Sequence, residues 1–427
     1  MLINFSFENF RSFKNSTELS LVSSSKIRKF KDHEVKSKRL SIIKNVGVFG
    51  KNASGKTNLI SALTFAKSYI CNSQILSNMS FKGAGDLPTS FNFVFTLGED
   101  IYQYSFSIKR VGLLSIATVE KECLEKLQTN NSIEIYSKRS KINKSYDKEE
   151  LFKTFLDGYK NSNSQLFLTY INAPERQIKG NKTSELFTEV FKFFRDRILI
   201  LDSLSSFSYI GLTSSNSSVV SKYLTQFDTG MKCIEFRDIS SEEVQKVIPR
   251  EILVEIYNDM SSKPNLKESC VSNGVDIYSF VKSDNTIYCK KFQSYHKGIE
   301  EPFTLEEESE GTKRLINIIT LLFSNQKDDT VYIIDEIEKS GHCMSVTNII
   351  KEFQKLNLNK KNQLIFTSHH VDLMDEVLRQ DEIYFTDKNY EGVSTVYPLS
   401  DFKSRNEPNV KKRYLEGRYG AIPVIGE

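Results

Sequence analysis

The chain has 427 residues, of which 39 % are hydrophobic and 26 % are charged, with 30 phenylalanines and a formal net charge of +4. This composition excludes a disordered chain, and the length predicts about two to three lobes with a large core. Because no apolar run approaches the ~20 residues of a membrane-spanning helix and the N-terminus lacks the pattern of a signal peptide, we expect a cytoplasmic protein without a membrane partner.

The first 22 residues alternate apolar and polar side chains. Leu2, Phe5 and Phe7 alternate with polar residues, and Leu19 and Leu21 repeat the pattern. Because successive side chains of a strand point to opposite faces, this period predicts half-buried strands.

A basic segment follows, from Lys26 to Arg39. Such a patch could bind a phosphate backbone, which leaves a nucleic-acid partner open. A solvated loop explains the charges as well, because no aromatic interleaving and no nucleic-acid motif accompany them.

The loop Gly-Lys-Asn-Ala-Ser-Gly-Lys-Thr, residues 50–57, lies between the apolar run 46–49 and the apolar segment 59–63. A strand, a glycine-rich loop and a helix in this order form a P-loop, or Walker A motif, which binds phosphate oxygens with backbone N–H groups. In that motif Lys56 reaches the β- and γ-phosphates and the Thr57 hydroxyl ligates Mg²⁺. The alternative is an ordinary glycine-rich turn with a solvated Lys56. The predicted ATP-binding residues are Gly50, Asn52, Ala53, Ser54, Gly55, Lys56, Thr57 and Asn58.

The middle of the chain changes from strand to helix periodicity. Segments 91–97 and 101–108 alternate around turn residues and predict a β-hairpin in a second, antiparallel sheet. From about residue 150 to 265 the apolar spacing is helical. We therefore divide the chain into an N-terminal half of an ATPase core (1–110), an inserted, mainly helical lobe (111–275) and a C-terminal half of the core (276–427).

A Ser-Glu-Gly-Thr turn, Ser309 to Thr312, precedes an apolar helix. A serine hydroxyl, a glycine backbone and a helix N-terminus together form an anion site. Taken alone, the turn is equally explained as a simple helix N-cap.

Two further strands end in residues that suit catalysis. The apolar strand 330–334 ends in Asp335 and Glu336, which suit a Walker B motif where the first acid holds Mg²⁺ and the second polarises the attacking water. The alternative is a strand that ends at solvent with helix-capping acids.

Strand 363–368 ends at His369. A lone histidine there is usually structural, but beside the other motifs it suits a switch histidine that senses the γ-phosphate.

This order of motifs resembles the ABC ATPase class that includes SMC-type and OLD-type proteins. The opening Phe7-Glu8-Asn9-Phe10-Arg11-Ser12-Phe13, the segment Lys56-Thr57-Asn58-Leu59 and the tail Tyr414 to Pro423 resemble the RloA/AbiL-like ATPases of bacterial abortive-infection and other anti-phage operons. The resemblance covers about half of the chain and says little about residues 110–270. It implies an α/β fold, an ABC-type P-loop ATPase head with a mixed sheet core, a flanking antiparallel sheet and an inserted helical lobe.

The resemblance also implies an assembly and a set of roles. Two subunits pair head to tail, as a homodimer or within a higher homo-oligomer, and Glu336 and Ser340 lie near the interface. Lys56, Glu336 and His369 form the catalytic set, Thr57 and Asp335 hold Mg²⁺, and ATP is the bound nucleotide. The residues that contact the γ-phosphate held by the opposite subunit are Ser309, Glu310, Gly311 and Thr312.

We expect from these features an ATP-hydrolysing sensor or regulatory subunit of an anti-phage system that controls a separately encoded effector, a nuclease or a toxin. The stretch after His370 is too short for the Toprim nuclease domain of OLD-like proteins. The alternative is an SMC-like DNA-binding ATPase of repair or maintenance. A transporter ATPase, which needs a membrane partner, is a third and weaker interpretation.

Overall fold

The computed structural model describes most of the chain. The described residues are 1–27, 29–37, 40–73, 79–111, 116–129, 131–138, 150–159, 164–173, 182–202, 211–227, 230–263, 265–273, 275–284, 286–324, 327–339, 343–402 and 409–422. Contacts divide the chain into two compact units. Unit 1 comprises Met1–Ser203, Asp328–Ile337 and Leu356–Glu427, and unit 2 comprises Leu204–Lys327 and Glu338–Lys355.

The bounds of the regular elements follow in chain order. The strands are β1 (Leu2–Glu8), β2 (Thr17–Ser20), β3 (Glu34–Lys36), β4 (Ser41–Ile43), β5 (Asn45–Phe49), β6 (Thr89–Leu97), β7 (Asp100–Val111), β8 (Ile116–Leu127), β9 (Ser132–Ser137), β10 (Ile198–Leu201), β11 (Met231–Ile239), β12 (Glu268–Ser272), β13 (Ile277–Ser283), β14 (Thr286–His296), β15 (Val331–Ile334), β16 (Gln363–Ser368), β17 (Ile383–Lys388) and β18 (Ser394–Pro398). The helices are α1 (Lys56–Asn72), α2 (Glu150–Tyr159), α3 (Phe167–Ile171), α4 (Lys182–Lys192), α5 (Ser217–Gln226), α6 (Ser241–Val247), α7 (Arg250–Ser262), α8 (Glu310–Ile319), α9 (Cys343–Leu356), α10 (Leu373–Glu376) and α11 (Val410–Leu415).

The core sheet of unit 1 has the strand order β10-β15-β16-β5-β17-β18. Neighbouring strands pair in parallel, except β17 and β18, which are antiparallel. Every residue of β5, β15 and β16 is buried. Strands of a parallel sheet are covered on both faces, so their sequences are continuous apolar runs rather than alternating ones.

The second sheet of unit 1 is antiparallel, with the order β2-β1-β6-β7-β8-β9. Strands β6 and β7 form the predicted hairpin, and Gly98 in its two-residue turn has a φ of 61°. Phe91, Phe93 and Phe95 alternate along β6 and are all buried, and the Phe95 ring stacks on Phe193 with 4.3 Å between centroids. Each buried phenyl ring contributes roughly 1.5–3 kcal/mol, so this phenylalanine cluster is a major source of stability.

Strands β8 and β9 extend the antiparallel sheet into a region predicted to belong to the inserted lobe. The sequence pattern does not predict β8, because the charged residue Glu122 occupies a buried position where a half-buried strand usually has an apolar side chain. Its carboxylate accepts hydrogen bonds from the Tyr104 hydroxyl at 2.7 Å and from the N–H groups of Phe167 and Leu168 at 2.7 and 3.0 Å. Burial raises the pKa of Glu122. This carboxylate connects β8 with the start of α3.

Unit 2 combines helices with a four-stranded antiparallel sheet of order β11-β14-β13-β12. Leu253, Ile256 and Met260 of α7 are buried in one cluster with Phe280 of β13. The helices of the predicted lobe are present, but the strands β11 and β12 within it were not predicted, because their apolar and polar residues alternate weakly. Unit 2 begins at Leu204 rather than at residue 111, and it includes the turn at Ser309, which the prediction assigned to the C-terminal half of the core.

The mixed core sheet, the flanking antiparallel sheet and an inserted unit that contains helices confirm the predicted α/β fold class. Within the described part of the chain, no helix combines the length and the hydropathy that crossing a bilayer requires.

Candidate nucleotide-binding site

Three of the predicted motifs leave the core sheet at the same edge. Strands β5, β15 and β16 are parallel, and their register places Ile334 beside Phe366 and Phe49 beside Ser368. Their carboxyl ends therefore lie side by side, and two strand spacings, about 10 Å, separate the ends of β5 and β15. Ligands of open α/β sheets bind in crevices at such an edge.

The P-loop connects β5 to α1, which begins at Lys56. Gly55 has a φ of 123°, a conformation that side chains disfavour, and a Cβ there would lie 2.7 Å from Ser394 Oγ. The Lys56 side chain is only 5 % exposed, and its ammonium donates to the carbonyls of Gly50 at 2.8 Å and Lys51 at 3.1 Å. The Lys56 ammonium therefore lies against the P-loop, where a bound phosphate is expected.

Residues far away in the sequence support this loop. Ser54 and Thr386 share a hydrogen bond of 2.6 Å between their hydroxyls, and Lys51 Nζ lies 3.0 Å from an Asp387 carboxylate oxygen. The Lys51 N–H donates to the carbonyl of Ala421 at 3.0 Å. Sequence reasoning missed all three partners, although the tail that contains Ala421 had been singled out.

The C-terminal tail is held by phenol groups that donate to its backbone. Tyr414 donates to the Ala421 carbonyl at 2.9 Å, and Tyr397 donates to the Tyr419 carbonyl at 2.8 Å. Burial raises the pKa of Tyr414 to about 12, so the phenol keeps its proton at neutral pH. The Phe385 ring stacks on Tyr414 and Tyr419, with centroid distances of 5.4 and 5.5 Å. This aromatic cluster attaches the tail to the strand that supports the P-loop.

Asn58 contacts the N-terminal segment. Its Nδ2 donates to Ser12 Oγ at 2.8 Å, and its Oδ1 accepts from Arg11 at 3.4 Å. Arg11 also donates to Ser61 Oγ at 2.8 Å. The segment Phe7 to Phe13, noted for its resemblance, is thereby joined to the first turns of α1. Asn58 was predicted to bind ATP, and in this structure its amide contacts protein.

The acidic pair is organised by Thr367, which the sequence analysis did not single out. Its hydroxyl donates to Asp335 Oδ1 at 2.6 Å and accepts from the Glu336 N–H at 2.7 Å. Asp335 is 0 % exposed, whereas Glu336 is half-buried and has a φ of 48°. A left-handed conformation in a residue with a side chain stores strain, which is common at functional sites. The turn therefore leaves Asp335 fully buried and the adjacent Glu336 partly exposed to solvent.

Thr57 and Asp335 fit a Mg²⁺ ion by the chemistry of their donors. This hard cation prefers oxygen ligands and is usually bound by one or two carboxylates together with substrate phosphates. Thr57 offers a hydroxyl in the first turn of α1, and Asp335 offers a carboxylate at the end of β15.

The predicted switch histidine lies at the end of β16. His369 is exposed at the same sheet edge, and it follows the buried Ser368. Its neighbour His370 is half-buried, and its N–H donates to Ser368 Oγ at 2.9 Å. Of the two histidines, His369 has the exposure that contact with a ligand requires.

The signature turn, Ser309 to Thr312, belongs to unit 2. Ser309 is the exposed N-cap of α8, and its hydroxyl accepts from the Thr312 N–H at 3.0 Å. Glu310 and Gly311 form the first turn of the helix. The structure therefore presents the serine at an exposed helix N-terminus. Ser340, predicted to lie near the interface, is outside the described residues.

The basic segment is partly engaged by the protein itself. Lys29 donates to the Asp375 carbonyl at 2.6 Å and lies 4.5 Å from the centroid of Phe30. The Phe30 ring stacks on His33 at 4.8 Å. Arg28, Lys38 and Arg39 are outside the described residues, so the nucleic-acid interpretation of this segment stays a prediction.

A family model described as "AAA domain, putative AbiEii toxin, Type IV TA system" matches residues 46–375. No curated protein matches the sequence.

Among solved structures, the SMC head domain from Thermotoga maritima is 12 % identical, with a TM-score of 0.40 over 93 % of this chain and 98 % of that chain. An SMC head bound to the C-winged helix domain of ScpA is 12 % identical, with a TM-score of 0.42 over 93 % and 96 %. An SMC head domain with an extended coiled coil, bound to the C-terminal domain of ScpA derived from Pyrococcus furiosus, is 12 % identical, with a TM-score of 0.41 over 94 % and 97 %. The family match spans the P-loop, the signature turn, the acidic pair and His369.

Proposed function

This chain belongs to the AAA domain family whose model it matches, and from that premise we propose that it hydrolyses ATP as the sensor or regulatory subunit of an anti-phage system. The observation that carries the proposal is the common sheet edge at which the P-loop and the Asp335-Glu336 pair meet. A phosphate-binding loop beside two oriented carboxylates is suited to attack of water on a γ-phosphate.

We propose a role for each residue of the site. The P-loop N–H groups and the start of α1 bind the phosphates, and Lys56 reaches the β- and γ-phosphate oxygens. Glu336 accepts the proton of the attacking water, and the exposed His369 contacts the γ-phosphate. Thr57 and Asp335 would hold Mg²⁺, which when bound would neutralise phosphate charge. The products are ADP and phosphate.

The exposed signature turn supports a composite site. Ser309 caps α8 at a helix N-terminus, where backbone N–H groups and the helix dipole favour an anion. We infer that this turn of one protomer contacts the γ-phosphate bound by the P-loop of a second copy. A dimer of this kind closes with ATP and opens after hydrolysis, so the nucleotide switches an interface.

The defence role rests on two supports. The family description names a toxin and a toxin–antitoxin system, and the opening, the P-loop and the tail resemble the RloA/AbiL-like ATPases. We propose that the ATP-dependent dimer controls a separately encoded effector, a nuclease or a toxin.

Purified protein tests the ATPase part. The parent chain should bind ATP and release phosphate, and Lys56→Ala should abolish binding because it removes the ammonium from the phosphate site. Equilibrium binding of a fluorescent ATP analogue and a phosphate-release assay measure the two effects. A parent chain that neither binds nor hydrolyses ATP would overturn the proposal.

Affinity purification from the native host, before and during phage infection, tests the regulatory part. We expect one stoichiometric partner whose retention differs between ATP and ADP. A chain that stays alone in both conditions contradicts control of an effector. DNA binding that weakens steeply with salt would instead favour the SMC-like DNA-binding alternative.

A further inference from the structure

The residue before the signature serine is a buried carboxylate. Glu308 is 6 % exposed, and its Oε1 accepts hydrogen bonds from the Ser294 hydroxyl and from His296 Nε2, the latter at 2.8 Å. Ser294 is 0 % exposed. A buried charge is costly unless it is hydrogen-bonded, so these two donors determine where the carboxylate lies. We call Ser294, His296 and Glu308 the Glu308 latch.

The chain between the sheet and the signature turn is attached at several points. Phe303 and Ser294 exchange backbone hydrogen bonds of 2.8 and 3.0 Å, and the Phe303 ring packs edge-on against His296 with 4.7 Å between centroids. The Glu308 N–H donates to the Leu305 carbonyl at 3.2 Å. The segment 303–308 is therefore attached to the end of β14, and this attachment fixes the position of the adjacent Ser309.

Most of the carboxylates next to the signature serine in the sequence are held in place by neighbouring groups. They belong to Glu306, Glu307, Glu308 and Glu310. Glu307 accepts from the Thr304 N–H at 2.7 Å and from its hydroxyl at 2.8 Å. Glu310 lies 3.2 Å from Lys313 Nζ. Together with the latch, donors of unit 2 engage three of the four carboxylates.

We propose that Ser294, His296 and Glu308 are positioning residues for the signature turn, which they hold so that Ser309 can contact a phosphate bound by a second protomer. This inference rests on the proposed composite site. The latch acts through Ser309 and touches no nucleotide itself.

The test measures ATP-dependent dimerisation in the Glu336→Gln background, where slow hydrolysis preserves the closed form. His296→Ala should weaken the dimer by about 10-fold, the effect of losing one charge-assisted hydrogen bond, in sedimentation equilibrium with ATP and Mg²⁺. Glu308→Ala removes both hydrogen bonds of the latch and should weaken the dimer at least as much. ATP affinity of the separate chain, which depends on the P-loop of unit 1, should not change. His296→Gln keeps a side-chain N–H donor and should restore most of the dimer.

Glu306→Ala is the matched control, because it removes an exposed carboxylate from the same acidic run. It should dimerise like the parent, and an equal loss would mean that net charge, not the latch, matters. If Glu308→Ala lowers the melting temperature, the test uses Ser294→Ala instead, which removes a single hydroxyl and should also weaken the dimer.

Ser309→Arg distinguishes a failure of the Glu308 latch from a failure of the composite site. If it abolishes dimerisation while the Glu308, His296 and Ser294 variants dimerise like the parent, the latch is overturned and the composite site stands. If Ser309→Arg itself still dimerises, the proposed composite site fails.

Discussion

At the scale of single residues, Thr367 joins the two acids of the candidate site. One hydroxyl donates to the fully buried Asp335 and accepts the Glu336 N–H. The Ile337 N–H donates to the Thr367 carbonyl at 3.1 Å, which holds the turn from its other side. Glu336 keeps its left-handed backbone because these contacts surround it.

Replacing Thr367 with valine should impair catalysis more than nucleotide binding. The valine has the same shape but leaves the Glu336 N–H and one Asp335 oxygen without their partner, which costs roughly 1–3 kcal/mol. We expect the kcat of ATP hydrolysis to fall about 10- to 100-fold. Thr367→Ser keeps the hydroxyl and is the control. Equal kcat values for the valine and serine variants would show that the hydroxyl does not position the acids.

Glu336→Gln tests the catalytic base directly. The amide cannot accept a proton, so turnover should fall by about 10² to 10⁴ while ATP binding is retained. Steady-state phosphate release and equilibrium binding of ATP measure the two quantities. Hydrolysis at the parental rate would make the assignment of the base wrong.

At the scale of elements, hydrogen bonds of buried polar groups join segments that hydrophobic packing alone would not bring next to each other. Glu122 of β8 accepts hydrogen bonds from two N–H groups at the start of α3. Ala421 of the tail accepts from the P-loop at Lys51. In both cases a donor or acceptor that burial would leave unsatisfied determines which segments are adjacent.

Glu122 should make the stability depend on pH. Burial raises the pKa of this carboxyl in the folded protein, so its contribution is fully present below the unfolded pKa of about 4.3 and is lost as the pH rises through the raised value. Glu122→Gln cannot ionise. The melting temperature of the variant minus that of the parent should therefore increase between about pH 4.5 and pH 8.

Differential scanning fluorimetry measures this difference across the pH range. Glu120→Gln makes the same change of carboxyl to amide at a half-buried position on the same strand and is the control for the substitution itself. A difference for Glu122→Gln that stays constant or decreases would contradict the linkage.

At the scale of the whole molecule, the proposed function depends on a second copy of the chain. The P-loop and the acidic pair belong to unit 1, and the signature turn belongs to unit 2. Under the proposed pairing, a complete site takes unit 1 from one protomer and unit 2 from the other.

Mixing two inactive variants tests this pairing. Ser309→Arg keeps an intact P-loop, and Lys56→Ala keeps an intact signature turn. Each variant alone should lack ATPase activity, whereas a mixed dimer contains one complete site and should regain activity. A phosphate-release assay at varied mixing ratios measures the recovery. No recovery at any ratio would indicate that both residues act within one chain.

The sequence by itself determined the local chemistry of this protein. The P-loop, the acidic strand end, the hairpin at Gly98 and the N-cap at Ser309 were all predicted, because residue type and spacing control backbone dihedral angles, helix caps and the faces of strands. Each of these features lies within a few consecutive residues. The apolar runs 46–49, 330–334 and 363–368 were likewise predicted to be strands.

Only the tertiary structure decided which distant side chains meet. The pairs Thr367 with Asp335, Thr386 with Ser54, and Ala421 with Lys51 join segments far apart in the chain. Strand order and register place them in contact, and a periodic pattern contains no information about which strand lies next to which. For the same reason the buried Glu122 concealed β8, since its burial becomes favourable only where α3 supplies the N–H groups that satisfy it.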